Sequence, residues 1–271
     1  LVFVDGVLDL ENSDDFTLTG LEIEPLAKAN KNEDHWSVGY FGDIEGTSQK
    51  VVKKTLASLN TAFAIQGLTI KITDKVNKPI SIVYYHTDEI SEALIHHVIK
   101  VEKNAHATLL ESGGISSRSN CVMELSLEKN ARLDHIRVQG RSHERESITY
   151  IFSNLEVNSC LKSFTLTVNG RLTRNEYIVN IKGENAKAHV GGAIVGDNGF
   201  SHDDTVFITH SAPNCESRQV FKKVLRNGAK GVFQGKILVK EGAQKTDGYQ
   251  ISQGLMLDED SNFLAKPELE I

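Results

Sequence analysis

No run of 18 apolar residues occurs in the 271-residue chain, which excludes a transmembrane helix. Nor is there a basic block. Thirty Lys and Arg stand against 36 Asp and Glu, a net charge of −6, so nucleic acid is not expected as a main partner. Cysteine is scarce: Cys121, Cys160 and Cys215 lie far apart, with no Cys-x-x-Cys pair. That leaves no case for a zinc or dithiol motif, and the odd count suits a reducing, cytoplasmic setting better than a secreted one. The opening LVFVDG has neither an initiator Met nor a signal-peptide pattern, so the chain reads as a piece of a longer protein.

Catalytic signatures are equally thin. Neither Gly-x-Ser-x-Gly nor His-Glu-x-x-His occurs, which removes the hydrolase elbow and the zincin pair. GVFQGK, residues 231–236, looks like a phosphate-binding loop but has only three residues between Gly231 and Gly235, and Ile237 where a magnesium-ligating hydroxyl belongs. A nucleotide site is therefore not expected there.

What is present is a repeat. Asn104, Asn130, Asn158, Asn185, Asn214 and Gly242 follow one another at intervals of 26, 28, 27, 29 and 28, each followed by a small residue: Ala, Ala, Ser, Ala, Cys, Ala. Asn and Gly enter the left-handed backbone region most cheaply, and a tight corner leaves room inside only for a small side chain. Beyond each corner polar and apolar residues alternate: His106, Arg132, Cys160, Lys187, Glu216 and Gln244, then Ala107, Leu133, Leu161, Ala188, Ser217 and Lys245. Period two means strands. A second corner series, Asn169-Gly170, Asn198-Gly199 and Asn227-Gly228, interleaves at spacings of 29 and 29. Coils of two strands and two corners, in constant phase, predict a mainly β protein. It is a right-handed parallel β-helix in which each coil touches its neighbours and stacked Asn side chains can bond along the pile. Counted this way, Gly235 aligns with Val206 and Tyr177, and GVFQGK is one strand with glycine where the stack is crowded.

The first third differs. LVFVDGVLDL reads as strand, turn, strand, and residues 24–47 as a loop. Val52, Leu56, Leu59 and Phe63 recur at helical spacing within Gln49–Ala64, with Thr47 or Ser48 as the cap. This single N-terminal helix is expected to cover the open first end of the solenoid. The boundaries are residues 1–66 for the N-terminal segment and 67–271 for the β-helix core.

The register assigns most reactive side chains to bland roles. Cys215 falls in the small inside-corner column and reads as a buried thiol; Cys160 lies in the outward column without a base beside it; the phase of Cys121 is open. His210 shares the inward parity of Ile181 and Val239, whereas His189 lies outward beside Lys162 and Arg218. His96 and His97 project to opposite sides of a strand and cannot chelate one ion together. SHDDT, residues 201–205, is the best acidic cluster and motivates the alternative of a β-helical polysaccharide lyase. Asp203 and Asp204, however, face opposite sides. A structural adhesin-like solenoid is a weaker third option. No catalytic, cofactor or metal set emerges.

The C-terminal half carries a resemblance. RNEYIVNIKGENAKAHVGG, HSAPNCESRQVFKKVL, GVFQGKILVKEGAQKTDGYQ and KPELEI together resemble the SufB/SufD family of iron–sulfur cluster assembly proteins, closer to SufD, specifically from Arg171 to Ile271. The resemblance implies a right-handed β-helix core and a non-enzymatic cytoplasmic scaffold subunit, pairing with a SufB-like subunit and a SufC-like ATPase. A homodimer is the alternative in isolation. It implies no cofactor in this chain, the nascent Fe–S cluster being expected only on the assembled complex. The partner surface is expected on the last strand, at Lys266, Pro267, Glu268, Leu269, Glu270 and Ile271, where an uncapped coil presents an edge.

Overall fold

The structure, a computed structural model, describes residues 1–15, 18–49, 53–140, 145–197 and 199–271. In chain order its strands are β1 (Val2–Val4), β2 (Val7–Asp9), β3 (Leu21–Pro25), β4 (Leu68–Ile72), β5 (Ile80–Tyr85), β6 (Glu92–Val101), β7 (His106–Gly113), β8 (Arg118–Leu127) and β9 (Arg132–Gln139). They continue as β10 (Glu146–Leu155), β11 (Cys160–Val168), β12 (Leu172–Ile181), β13 (Lys187–Gly196), β14 (Ser201–His210), β15 (Glu216–Leu225), β16 (Lys230–Val239), β17 (Asp247–Met256) and β18 (Asn262–Glu270). Odd strands from β5 onward stack in one nine-stranded sheet and even strands from β4 onward in the other. Their ladders are parallel throughout, making a β-solenoid of about seven turns. The expected β-helix is what the chain forms.

Inward columns of aliphatic and aromatic side chains fill the lumen, from Phe3 and Ile70 through Leu125 and Ile151 to Ile208 and Phe233. The register read from the sequence holds: Tyr177, Val206 and Gly235 stack, as do Val179, Ile208 and Ile237. A Cβ on Gly235 would lie 2.6 Å from the Gln250 amide, which is why glycine stands there.

Left-handed corners are the second confirmation. Asn104, Asn130, Asn158, Asn185 and Asn214 take φ of 56–64°. Each donates its N–H to the carbonyl just before the next corner: Lys129, Val157, Glu184, Pro213 and Gln244. Side chains ladder from Asn158 to Asn130 (3.0 Å) and from Asn130 to Asn104 (2.8 Å), whereas Asn214 turns to Glu184 (2.9 Å). The last corner corrects the sequence count. Because Asn214 bonds Gln244 and Glu216 pairs with Asp247, the sixth corner residue is Lys245 (φ 57°). Gly242 sits three residues earlier, in an inserted turn, so Gln244 and Lys245 do not occupy the columns expected of them. In the second series Asn169, Gly170, Gly199, Asn227 and Gly228 are left-handed; Asn198 lies outside the described residues.

The N-terminal helix is broken up and sits elsewhere. Residues 24–47, expected as loop, contain α1 (Leu26–Ala29), a 3-10 turn at Trp36–Gly39 and most of α2 (Asp43–Ser48); α3 spans Thr55–Phe63. Thr47 and Ser48 end α2 and do not cap the helix that follows, and Val52 lies outside the described residues. On α3 the buried positions are Ala57 and Asn60, while Leu56, Leu59 and Phe63 are exposed. Helix α1 packs on β3 and β4, whereas α2 and α3 lie on the outer face of β6, β8 and β10, where Ile44 and Ala57 pack with Val122, Tyr150 and Phe152. They do not close the first end. That end is finished by the β1–β2 hairpin, in which β1 adds parallel to β5 and β2 antiparallel to β1, and by β3, antiparallel to β4.

Polar anchors fix this helical strap. The buried Glu124 carboxylate accepts from the N–H of Gly42 (2.6 Å) and of Glu45 (2.9 Å), satisfying the start of α2. His96 Nε2 lies 2.9 Å from the same carboxylate, and its Nδ1 meets Asn60 Oδ1. Asn60 Nδ2 donates to the carbonyls of Ile95 and Asn120 on β6 and β8.

Candidate functional site

The solenoid's two ends differ. At the first end the sheets finish in β2 and β3, three and five residues long. At the other they finish in β17 and β18, ten and nine residues long. Each is paired on one side only among the described residues. A long strand edge is a row of N–H and C=O groups onto which further β-structure can add. Apolar side chains crowd this rim: Leu255, Met256 and Leu257 follow from β17, and Leu264 (65% exposed), Leu269 and Ile271 (90%) from β18. Phe263 packs across the lumen mouth over Gly254, where a Cβ would lie 2.5 Å from its ring.

The expected partner residues sit in this strand. Pro267 and Leu269 share the inward parity with Gly235 and Ile237, while Lys266, Glu268 and Glu270 point outward. Lys266 pairs with Glu268 (2.7 Å) and Glu270 with Lys236 (2.6 Å), exposed contacts worth little to stability. Sequence reading missed β17. Only sheet order shows β17 and β18 forming one rim.

Inside, two buried polar networks cross the lumen. His97 Nδ1 accepts from Leu68 N–H (3.2 Å), which leaves the proton on Nε2 to meet Tyr84 Oη (3.0 Å). Tyr84 then donates to Glu111 Oε1 (2.9 Å), and His135 Nε2 lies 2.6 Å from Glu111 Oε2. Burial pushes His97 down to about 4. Burial alone would raise the Glu111 carboxyl, but the His135 contact, Arg137 and His97 outweigh it and hold it at about 2. The second network joins Lys223 Nζ to Asp204 Oδ2 (2.9 Å), His202 Nδ1 (2.8 Å) and the Val232 carbonyl (2.6 Å). Against burial, His202 and Lys223 keep the Asp204 carboxyl well below the usual range. The signal for both networks was available: His135, Arg137, Asp204 and Lys223 are polar residues on inward parity.

SHDDT divides as its alternation requires. His202 and Asp204 are sealed in the lumen, while Asp203 faces out beside Arg174 (3.8 Å). Asp204 is thus unavailable to a calcium ion or a polysaccharide. Cys121 and Cys215 are buried and Cys160 is half-buried; burial raises all three thiols, opposing a nucleophilic thiolate. His210 is buried and bonded to Ser217 (2.9 Å), His189 is outward on Glu216 (2.9 Å), and His96 and His97 face opposite sides. Among the described residues no group of three or more His, Cys, Asp or Glu is placed to hold a metal ion, and no helix is long and apolar enough to cross a membrane.

Comparison with known proteins converges on one family. A family model described as "SUF system FeS cluster assembly, SufBD core domain" matches residues 84–271. An iron–sulfur cluster assembly SufBD family protein of Synechocystis is 24% identical over 295 residues, covering 100% of this chain and 62% of its own length. The iron–sulfur cluster assembly protein SufD of Escherichia coli is 21% identical over 246 residues, covering 87% of this chain and 58% of its own. A chloroplastic protein of Arabidopsis thaliana, ABCI7, is 26% identical over 156 residues, 56% of this chain and 32% of its own. The chain thus spans about three-fifths of the first two relatives.

Proposed function

Since the chain belongs to the SufBD core family of the SUF iron–sulfur cluster assembly system, we propose that it is a SufD-like, non-enzymatic scaffold subunit, working in the cytoplasm with a SufB-like subunit and a SufC-like ATPase. The observation that carries this reading is the rim formed by β17 and β18. A SufB-like solenoid extends both sheets there, pairing its own strand edges with Asp247–Met256 and Asn262–Glu270 while Leu255, Leu264, Leu269 and Ile271 are covered. Lys266, Pro267, Glu268, Leu269, Glu270 and Ile271 lie within that seam.

The role assigned to the chain is mechanical. Coils that contact only their neighbours make a stiff rod, so a ligand set assembled at the seam keeps its spacing. The nascent cluster is cargo. It takes thiolate and imidazole ligands from the assembled complex, and the described thiols of this chain are held as neutral, largely buried groups, which supports placing its ligands elsewhere.

The test is size exclusion of the full-length protein mixed with a SufB-like partner and the ATPase. A stable ternary complex is expected, and a Leu255→Asp/Leu264→Asp double variant, altered only at exposed positions, should elute uncomplexed with an unchanged Tm. Co-elution of that variant at wild-type stoichiometry would move the interface elsewhere; no complex with the native protein would refute the subunit role.

A further inference from the structure

We propose that the lumen binds a small monovalent anion of halide size at the guanidinium of Arg145. Arg145 enters from the corner between β9 and β10 and is 3% exposed. Two successive corners, at Gly140 and Gly170, make room for it by being glycine. A Cβ on Gly140 would lie 2.4 Å from its Nη1 and one on Gly170 2.9 Å from its Nη2, while Gly114 borders the same side chain at 3.7 Å. In return the guanidinium has little to bond. Nη2 donates to the Asn169 carbonyl at 3.3 Å, Nε has no partner, and among the described residues no carboxylate pairs with it.

Lumen charge does not balance. Among the described residues Glu111 and Asp204 are the inward carboxylates, against Arg137, Arg145 and Lys223. Asp204 is taken by Lys223. Both Glu111 oxygens are engaged by Tyr84 and His135, and the cation facing it is Arg137. Burial and the like charge of Arg137 press Arg145 down to about 10, so it remains a cation at neutral pH with no counter-charge among the described residues. Isolated buried cations are costly.

A cavity of about 10 Å³ adjoins it, lined by Arg137, Arg145, Gln139, Ser147 and Thr149, with Glu111 on its wall. Donors face it. Thr149 Oγ1 and Arg137 Nε have no partner, and Ser147 Oγ accepts from Ser119 (3.0 Å), leaving its own proton to give. That volume admits about one water-sized particle, which excludes sulfate, phosphate and carboxylates. Positive charge favours a halide over water.

Bromide serves as the probe. Crystals of the full-length protein in sodium bromide should show an anomalous peak within hydrogen-bond reach of Arg145; an empty site, or water alone, overturns the proposal. In parallel, replacing chloride by gluconate at constant ionic strength should lower Tm by about 2–4 °C. Gly140→Ala, which displaces the guanidinium, and Arg145→Met should each abolish that difference. An anion-independent native Tm, or a chloride effect that persists in a folded variant, counts against the site. If both variants fail to fold, the bromide experiment on the native protein decides.

Discussion

Left-handed asparagines set the pitch of this molecule, and each can be tested singly. At Asn158 and Asn185 an alanine would hold a Cβ in a conformation costing about 1–2 kcal/mol; glycine removes that penalty. Urea melts should therefore rank Asn158→Ala well below Asn158→Gly, the latter losing only the exposed bond to Asn130. Lys245 is the reverse case, an exposed non-Gly residue at φ 57°, and Lys245→Gly should raise stability by about 1 kcal/mol in the same assay. Protonation supplies a second test. Burial holds His97, His202 and His210 each at about 4, below the ordinary value near 6.5. Between those limits the unfolded chain binds more protons, so stability falls as pH drops from about 6.5 to about 4. Glu111, held at about 2, acts differently: its contribution is present above pH about 4.5 and lost as pH falls through 2. Thermal melts from pH 7.5 to 4.5 should show Tm declining with acid, and a His97→Gln/His202→Gln double variant should flatten the slope. A flat profile for the native protein would mean these imidazoles are not buried as described.

Among the elements, the strap formed by α2 and α3 depends on one carboxylate. Glu124→Ala removes the acceptor for two backbone N–H groups and the partner of His96, at a cost of about 3 kcal/mol. Limited proteolysis should then cut near residues 42–49 while the solenoid strands stay protected; equal resistance of the variant would show that apolar packing alone holds the strap. Why the strands are legible in the sequence and the strap is not is a matter of period. Strand side chains alternate strictly, and a repeating corner reports the same geometry many times, so Tyr177, Val206 and Gly235 align by residue spacing alone. The strap occurs once. Its short helices have no repeat to average over, and its buried anchor on α3 is polar Asn60 while Leu56, Leu59 and Phe63 face out, inverting the rule by which helix faces are read. The slip at Gly242 has a similar origin: glycine tolerates the corner conformation wherever it stands, so three inserted residues leave no mark on the spacing. The rim is half legible, since β18 can be named from its position but its neighbour β17 requires sheet order.

Viewed whole, the solenoid is a polar object whose two ends offer unlike strands. Short antiparallel additions finish one end, and those of β2 and β3 leave three and five residues of edge. Small edges of this kind recruit poorly. Sedimentation of residues 1–271 produced alone should consequently reach no species beyond a dimer as concentration rises, and the Leu255→Asp/Leu264→Asp variant should remain monomeric. A ladder of higher multimers would show that both extremities are adhesive. Geometry supplies the limit: a rod sticky at a single tip can clasp one fellow tip-to-tip and is then spent, so growth halts after the first handshake and never threads into a filament.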